Sequence, residues 1–219
     1  MRSRLDRRLW QQSKLLCGID EAGRGSLAGP VVAAAVVLPP NCSLPGVRDS
    51  KLLTPRQRAV LFETIVGRAL AWRVGVVNHR RIDQINIRNA SFEAMRRALN
   101  RLAFRPDYVI VDGFRIPGLE LAQEGIVGGD KKSITIAAAS IIAKVTRDRF
   151  MDRFEGRYPG YGFEENKGYG TPGHLAALSR LGPCPIHRWS YEPVRLAGAR
   201  HASVSGAECQ VSRRRTQNS

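Results

Sequence analysis

Four carboxylates follow short apolar segments, and together they could hold divalent metal ions. They are Asp20, Glu21, Asp112 and Asp130. The apolar segments before them, residues 15–19, 108–111 and 121–127, are typical of buried strands. We therefore expect the four acids at strand ends, gathered at one edge of a sheet. Hard oxygen ligands select Mg²⁺ or Mn²⁺, and two such ions about 4 Å apart can drive phosphodiester hydrolysis.

The same acids could instead be unrelated turn residues, because Asp and Glu beside Gly are common in loops. Adjacent residues of a strand also point to opposite faces. Asp20 and Glu21 can therefore share a site only if the strand twists or ends there. Gly23 and Gly25 follow at once, and they predict such an ending.

The chain is strongly basic, which limits the partners of an acidic site. Its 219 residues carry 35 Lys and Arg against 19 Asp and Glu, a net charge of +16. Residues 1–14 hold +4 and residues 196–219 hold +3, which leaves +9 on the central body. The folded part should therefore attract a polyanion, and metal ions would keep the carboxylates from repelling its phosphates. A basic surface that merely confers solubility is the alternative.

A glycine turn lies directly after the first carboxylate pair. Gly23 and Gly25 would let the backbone approach a sugar hydroxyl closely while Arg24 meets a phosphate. The 2′-hydroxyl is the group by which proteins distinguish RNA from DNA. An ordinary tight turn is one alternative, and a dinucleotide-binding loop is another, since residues 23–28 fit G-x-G-x-x-A. The dinucleotide loop fails on context, because Pro30 and a Val-rich segment follow where it needs a helix.

The elements that must position these residues alternate between strand and helix patterns. Strands are predicted at 15–19, 31–38, 72–77, 108–111 and 121–127, and helices at 54–69, 86–102, 134–154 and 171–181. This order predicts an α/β domain with a mixed sheet. We expect a basic N-terminal extension over residues 1–14, a catalytic domain over residues 15–195 and a disordered basic tail over residues 196–219.

Other residue types exclude several classes of protein. The four cysteines are scattered without a C-x-x-C pair, so structural zinc is not expected. The sequence offers neither a signal peptide nor an apolar run of about 18 residues, so we expect a cytoplasmic protein. We also expect it to be a monomer. The histidines are expected to be structural or surface residues rather than catalysts, namely His79, His174, His187 and His201.

Several motifs recur in a family order between residues 15 and 194. They are G-I-D-E-A-G-R-G at 18–25, G-P-V-V-A at 29–33, D-S-K at 49–51, V-D-G at 111–113, G-D at 129–130, A-A-A-S-I-I-A-K-V-T-R-D at 137–148, K-G-Y-G-T at 167–171 and H-R at 187–188. Together they resemble type 2 ribonuclease H, in particular bacterial ribonuclease HII. The resemblance implies the ribonuclease H-like α/β fold, a mixed sheet flanked by helices.

The resemblance also implies a metal-dependent endonuclease that cuts RNA paired or joined to DNA with two Mn²⁺ or Mg²⁺ ions. Asp20 would bridge the ions, Glu21 and Asp112 would complete their shells, and Asp130 would hold the second ion or help the product leave. Cleavage would fall 5′ to a ribonucleotide, leaving 3′-hydroxyl and 5′-phosphate ends. The implied role is the removal of ribonucleotides from DNA.

Substrate recognition is implied for Gly23, Arg24, Gly25 and Tyr169, which match residues that read a ribonucleotide followed by DNA. Lys51, like Lys144 and Lys167, could bind phosphate or be a solvated surface charge. The partners would be RNA–DNA hybrids and RNA–DNA junction duplexes.

Two departures from the family pattern stand out. Asn166 lies where the family often has His, and the basic pair at 131–132 beside Asp130 could alter metal affinity. The related ribonuclease HIII carries an extra N-terminal domain, and the closeness of the first carboxylates to Met1 favours type HII. A non-catalytic nucleic-acid-binding protein and a hybrid nuclease without junction preference remain alternatives. Residues 196–219 contain no aromatic pair typical of a clamp-binding peptide.

Overall fold

A mixed five-stranded sheet forms the centre of the computed structural model, which describes residues 4–13, 15–47, 50 and 53–202. The strands lie in the order β3-β2-β1-β4-β5. β2 is antiparallel to β1 and β3, whereas β4 is parallel to β1 and β5. The bounds are β1 (Leu16–Ala22), β2 (Val31–Val37), β3 (Ala71–Val77), β4 (Tyr108–Asp112) and β5 (Gln123–Ile126). The predicted mixed α/β sheet is confirmed.

Seven helices have defined bounds in the described part of the chain. They are α1 (Arg4–Gln12), α2 (Pro55–Arg68), α3 (His79–Asn100), α4 (Gly129–Lys132), α5 (Ile134–Arg157), α6 (Phe163–Asn166) and α7 (Pro172–Leu181). α2 opens with the predicted capping box, in which Thr54 and Gln57 exchange hydrogen bonds. The helices at 54–69, 134–154 and 171–181 are thus confirmed, with α5 slightly longer than predicted.

α3 begins earlier than the sequence pattern predicts. Asn78 caps its first turn, and the helix then runs from His79 to Asn100. Asn86 interrupts it with a φ of 63°, and its side chain accepts a hydrogen bond from the Asn89 backbone N–H at 3.1 Å. Asn86 therefore caps a second helical segment, which is the segment that the apolar periodicity predicts.

Contacts divide the chain into two compact units, and the sheet belongs to the first, residues 1–24 and 30–150. α5 covers one face of this sheet closely at Gly18, where a Cβ would lie 2.5 Å from the backbone carbon of Thr135. α3 makes a similar close approach to the sheet at Gly75. Both glycines are needed because a side chain would hold the helix away from the strands.

The N-terminal segment contains α1, and a buried carboxylate ties that helix to α5. Asp6 is fully buried. It accepts hydrogen bonds from both hydroxyls and backbone amides at the start of α5: Ser133 Oγ at 2.8 Å, Thr135 Oγ1 at 2.5 Å, Ile134 N at 3.1 Å and Thr135 N at 3.1 Å. Asp6 thus supplies acceptors for N–H groups that a helix start leaves unsatisfied.

The second unit comprises residues 25–29 and 151–219. Its core joins α6 and α7 to the segment at 25–29, around buried residues such as Leu27, Phe163 and Leu178. Residues 192–202 are helical, so the predicted disorder is wrong for residues 196–202. The rest of the predicted tail, 203–219, lies outside the described residues. Within the described ranges, no helix is long and apolar enough to cross a membrane.

Candidate active site

Asp20 and Asp112 lie on neighbouring parallel strands. β1 pairs with β4 so that Ile19 stands beside Val111, and each carboxylate follows one position later. Asp112 ends β4 as predicted, but β1 continues to Ala22. The expectation that the strand ends at the first carboxylate pair is therefore wrong, and both of its acids lie within β1.

Because they lie within a strand, Asp20 and Glu21 face opposite sides of the sheet. Asp20 stands beside Ala34, on the face that α5 covers, and accepts a hydrogen bond from Ser140 of that helix. Glu21 lines a cavity together with Ser91 of α3. The two acids therefore approach Asp112 from the two faces of the sheet.

The cavity beside Glu21 has a volume of about 300 Å³ and a mixed lining. Its walls are formed by Glu21, Arg24, Arg88, Ser91, Phe92, Met95, Asp112 and Phe114. Two buried atoms of this lining, Glu21 Oε2 and Ser91 Oγ, have no hydrogen-bond partner. Phe114 is 64% exposed, and the Arg88 guanidinium lies 6.0 Å from the centre of the Phe92 ring. The cavity thus offers unused polar atoms beside two arginines.

Neighbouring carboxylates disfavour the charged forms of Asp20 and Glu21. Burial raises the pKa of Asp20 well above its usual range, and the charges of Glu21 and Asp112 raise it further. Burial also raises the pKa of Glu21, although Arg24 opposes this effect with an ion pair at 3.2 Å. The charged form of the site is therefore disfavoured by the protein alone, and a nearby cation would favour it.

Asp112 is oriented by the backbone that leads to Asp130. The N–H of Gly129 donates to Asp112 Oδ1 at 2.7 Å. A Cβ at position 129 would lie 2.6 Å from Ile136 Cδ1, so a side chain there would require Ile136 to shift. Asp130 is buried in the first turn of α4 and not at a strand end, because β5 already stops at Ile126. The predicted strand-end position of Asp130 is therefore wrong.

The donor chemistry of this site fits a hard divalent cation. Asp20, Glu21 and Asp112 interact electrostatically, and Glu21 Oε2 is buried without a partner. Among the described residues, however, no three Asp, Glu, His or Cys side chains already converge as a set of metal ligands. Mutual repulsion is a physical reason for carboxylates to stay apart without a cation. The set of four metal ligands, Asp130 included, stays a prediction.

The turn after β1 is held in one conformation by packing. Gly23 has a φ of 95°, and a Cβ there would collide with the side chain of Arg147. Arg147 is fully buried, and its Nε donates to the carbonyl of Pro30 at 3.1 Å. Gly23 is therefore required both for its backbone conformation and for this close approach. The Arg24 side chain, 49% exposed, extends from the turn.

In the second unit, the segment beginning at Gly25 pairs with the strand-like stretch that carries Tyr169. Ser26 and Tyr169 form an antiparallel bridge, and the N–H of Leu27 donates to the carbonyl of Gly168 at 2.8 Å. Tyr169 is half-buried. Two of the predicted recognition residues, Gly25 and Tyr169, are thus brought together.

The predicted lysines have different environments. Lys144 forms an ion pair with Asp148 at 2.7 Å, and Lys167 forms one with Asp152. Lys51 lies outside the described residues, as does Asp49 of the same motif. The phosphate-binding role of these lysines stays a prediction.

Sequence reasoning did not assign roles to Ser140, Ser91, Arg88 or Phe114. Ser140 lies inside the family motif at 137–148, which could have drawn attention to it. Its hydroxyl contacts Asp20 and lies 2.9 Å from Ser50 Oγ. Ser91, Arg88 and Phe114 carry no comparable local signal, because they meet at the cavity only through the fold.

The family model for ribonuclease HII matches residues 17–194. The chain belongs to the ribonuclease HII family. A ribonuclease HII from Geobacter sulfurreducens is 58% identical over 182 residues, which cover 83% of this chain and 84% of the relative. The predicted family is thus confirmed.

Solved structures extend the similarity to the fold of the ribonuclease HII family. The crystal structure of ribonuclease H2 from Pyrococcus horikoshii has a TM-score of 0.74 and 30% identity, covering 85% of this chain and 98% of that one. Ribonuclease HII from Archaeoglobus fulgidus, solved as a complex with PCNA, has a TM-score of 0.61 and 29% identity, with coverage of 75% and 85%. The ribonuclease H-like fold is confirmed, and the chain is a metal-dependent endonuclease of the ribonuclease H type.

Proposed function

We propose that this endonuclease cleaves the RNA strand of RNA–DNA hybrids and nicks duplex DNA on the 5′ side of a single embedded ribonucleotide. The products would carry 3′-hydroxyl and 5′-phosphate ends, and the reaction would begin the removal of ribonucleotides from DNA. The observation that carries the proposal is the placement of Asp20, Glu21 and Asp112 at neighbouring strand positions, where the charge of Asp112 acts on the other two acids, next to the G-R-G turn.

In this proposal, Asp20, Glu21 and Asp112 hold two divalent ions, with Asp130 completing the set. Bound Mg²⁺ or Mn²⁺ would supply an activated water and stabilise the leaving oxygen. The protein's own part is orientation. Ser140 holds Asp20 from the side of α5, and the Gly129 N–H holds Asp112. Such supporting hydrogen bonds fix the direction of ligand oxygens.

Arg24 has a second role, because its guanidinium already neutralises part of the charge of Glu21. A substrate phosphate would compete for the same cation, since Arg binds carboxylates and phosphates with similar geometry. Release of Glu21 by Arg24 would then leave the Glu21 carboxylate free for a metal ion. The half-exposed position of Arg24 supports this exchange.

Recognition of the junction is proposed for the backbone at Gly25 and the ring of Tyr169. A tyrosine ring can pack on the deoxyribose that follows the ribonucleotide, where an added 2′-hydroxyl would crowd it. The bridge between Ser26 and Tyr169 supports a joint role, because it keeps the two elements of the second unit adjacent. The net charge of +16 supports a polyanionic substrate.

The test compares two duplexes that differ only in ribonucleotide content, one with a single embedded ribonucleotide and one with a uniform RNA strand, each with Mg²⁺ or Mn²⁺. We expect a 5′ nick at the single ribonucleotide and cleavage of the uniform hybrid. Tyr169→Ala should lower cleavage of the single site about tenfold more than cleavage of the hybrid, the size of one lost ring contact. Tyr158→Ala, another half-buried tyrosine of the second unit, is the matched control.

Metal binding can be measured separately from cleavage by calorimetry and by thermal unfolding with and without the ion. Ions that bind only the folded protein raise its midpoint of unfolding. A protein that cleaves neither duplex with either ion would contradict the proposed reaction. Equal losses on both duplexes in Tyr169→Ala would contradict the junction preference alone.

A further inference from the structure

Two buried histidines of the second unit face each other in a core of aromatic rings. His174 and His187 are both fully buried, and their Nε2 atoms are 3.1 Å apart. The rings of Tyr161 and Phe163 pack around them, with centroids 5.0 Å from His187 and 5.4 Å from His174. Neither histidine belongs to the carboxylate site, and the proposed reaction does not use them.

Hydrogen bonds at the two ends of this pair fix the proton on each ring. Nδ1 of His187 lies 2.9 Å from the backbone nitrogen of Cys184, which can only donate. Nδ1 of His187 therefore accepts, and its proton resides on Nε2. The Cys184 carbonyl, 3.2 Å from the same Nδ1, is already bonded by the His187 backbone N–H at 3.0 Å.

A hydrogen bond at the opposite end of the pair independently fixes the position of the proton on His174. Nδ1 of His174 lies 2.9 Å from the carbonyl oxygen of Tyr169, which can only accept. His174 therefore carries its proton on Nδ1 and accepts at Nε2. The contact between the two Nε2 atoms is then a single N–H···N bond that runs from His187 to His174. Burial lowers the pKa of His174, which agrees with a neutral ring.

These bonds close a ring that contains Tyr169 and the segment directly after Gly25. Tyr169 bridges to Ser26, and His187 bridges to Ala28, each one residue from an end of the 25–29 segment. The side chain of His174 then links Tyr169 to His187. The segment after Gly25 is thus held to Tyr169 along two routes, one through backbone and one through the histidines.

We propose that His174 and His187 are positioning residues that set the separation between the Gly25 backbone and the Tyr169 ring, and so determine the preference for a ribonucleotide followed by DNA. This inference rests on the function proposed for Gly25 and Tyr169. The histidines act through Tyr169 and touch no substrate. Misplacement of a recognition group by about 1 Å can cost a large factor in rate, so a short rigid link is an effective control.

A purely structural role for the pair predicts a different outcome. Apolar side chains can fill a buried site without the cost of desolvating polar rings. The directional bonds of two imidazoles define distance and angle more sharply than apolar packing does. Replacement of His174 should therefore change substrate preference beyond any effect on stability.

The test measures the ratio of kcat/KM on the single-ribonucleotide duplex to kcat/KM on the uniform hybrid. His174→Leu removes the donor to Tyr169 and should lower this ratio about tenfold. His174→Asn keeps an N–H near the position of Nδ1 and should stay within about threefold of the parent. Leu178→Ala, a buried residue of the same helix, is the control that lowers the unfolding midpoint without changing the ratio.

A second measurement needs no variant. Long-range ¹H–¹⁵N spectra of the unmodified protein should show two neutral imidazoles of opposite tautomer, with Nδ1–H on His174 and Nε2–H on His187. Identical tautomers, or a parental ratio in His174→Leu while Tyr169→Ala lowers it, would overturn the inference and leave the proposed function intact. An unchanged ratio in Tyr169→Ala would remove the proposed junction preference and the inference with it.

Discussion

Asp6 and Asp20 are both buried carboxylates of the first unit, yet their surroundings are opposite. Asp6 accepts four hydrogen bonds from the start of α5. Asp20 accepts hydrogen bonds from Ser140 and from the Glu21 N–H, but two further carboxylates raise its pKa. The first acid accepts hydrogen bonds from several protein donors, whereas the charged form of the second is disfavoured by its surroundings.

This difference assigns the two acids to different tasks, Asp6 to the stability of the fold and Asp20 to the proposed function. A buried charge stabilises a fold when hydrogen bonds compensate its desolvation, and it destabilises the fold when they do not. Asp6 therefore anchors α1 and α5, and α5 in turn carries Ser140 to Asp20. Asp20 is the residue for which we propose a ligand from outside the chain, a divalent metal ion. Removing Asp6 should therefore lower stability and spare activity. Removing Asp20 should lower activity without lowering stability.

The largest effect is expected for Asp20→Asn. Loss of the charge proposed to hold metal should lower kcat/KM at least about a thousandfold, because bound metal would contribute several kcal/mol of transition-state stabilisation. The measurement is cleavage of the uniform hybrid with Mg²⁺ or Mn²⁺. Glu124→Gln, an exposed acid of β5, is the control and should keep its activity. Retention of activity in Asp20→Asn would contradict the functional role assigned to Asp20 in contrast to Asp6.

Asp6→Ala should act on stability instead. It leaves donors at the start of α5 without acceptors, so the free energy of unfolding should fall by about 3 kcal/mol. Denaturant unfolding measures this change, while activity per folded molecule should stay within about twofold. The control, Glu164→Ala, removes an exposed acid and should change stability by less than about 0.5 kcal/mol. An unfolding free energy equal to that of the parent would show that Asp6 is not an anchor.

The smallest effect concerns the pH dependence of stability without metal. The folded-state pKa of Asp20 is raised above its ordinary value of 3.8. Its stabilising contribution is therefore complete below pH 3.8 and is lost as the pH rises through the folded-state pKa.

Asp20→Asn removes this loss, so the metal-free variant should be more stable than the parent at pH 7. The two proteins should converge toward acid pH in chelator-treated unfolding experiments. A constant difference across the pH range would assign the stabilisation to another cause.

The sequence predicts the sheet and the carboxylate set better than it predicts their surroundings. Val-rich segments and strand-end glycines determine β2 and β4 locally, and the motif at 18–25 identifies the first two acids. The extension of β1 to Ala22 depends on its pairing with β2, which local glycines obscure. The sequence pattern places Asp130 at a strand end rather than in α4, because α4 is only four residues long and has no apolar periodicity.

Long-range contacts account for most of the remaining differences between the predicted and the observed structure. α1 lies in a segment that reads as a basic extension, and its anchor at Asp6 depends on partners more than 120 residues away in sequence. The histidine pair lies in the core, as expected of structural residues, but its link to Tyr169 has no local signature in the sequence. Residues 192–202 are helical although their composition predicts disorder, since Val194 and Ala197 are buried in the second core.

The bridge between the 25–29 segment and the C-terminal part of the chain has a consequence for synthesis. A ribosome makes Gly29 long before Arg188, whose side chain bonds the Gly29 carbonyl 159 positions away. The early segment must therefore wait for Tyr169 and His187 before it has its β-bridge partners. The elements proposed to read the substrate are thus assembled last, so a nascent chain that already carries its carboxylates still lacks the parts that select where to cut.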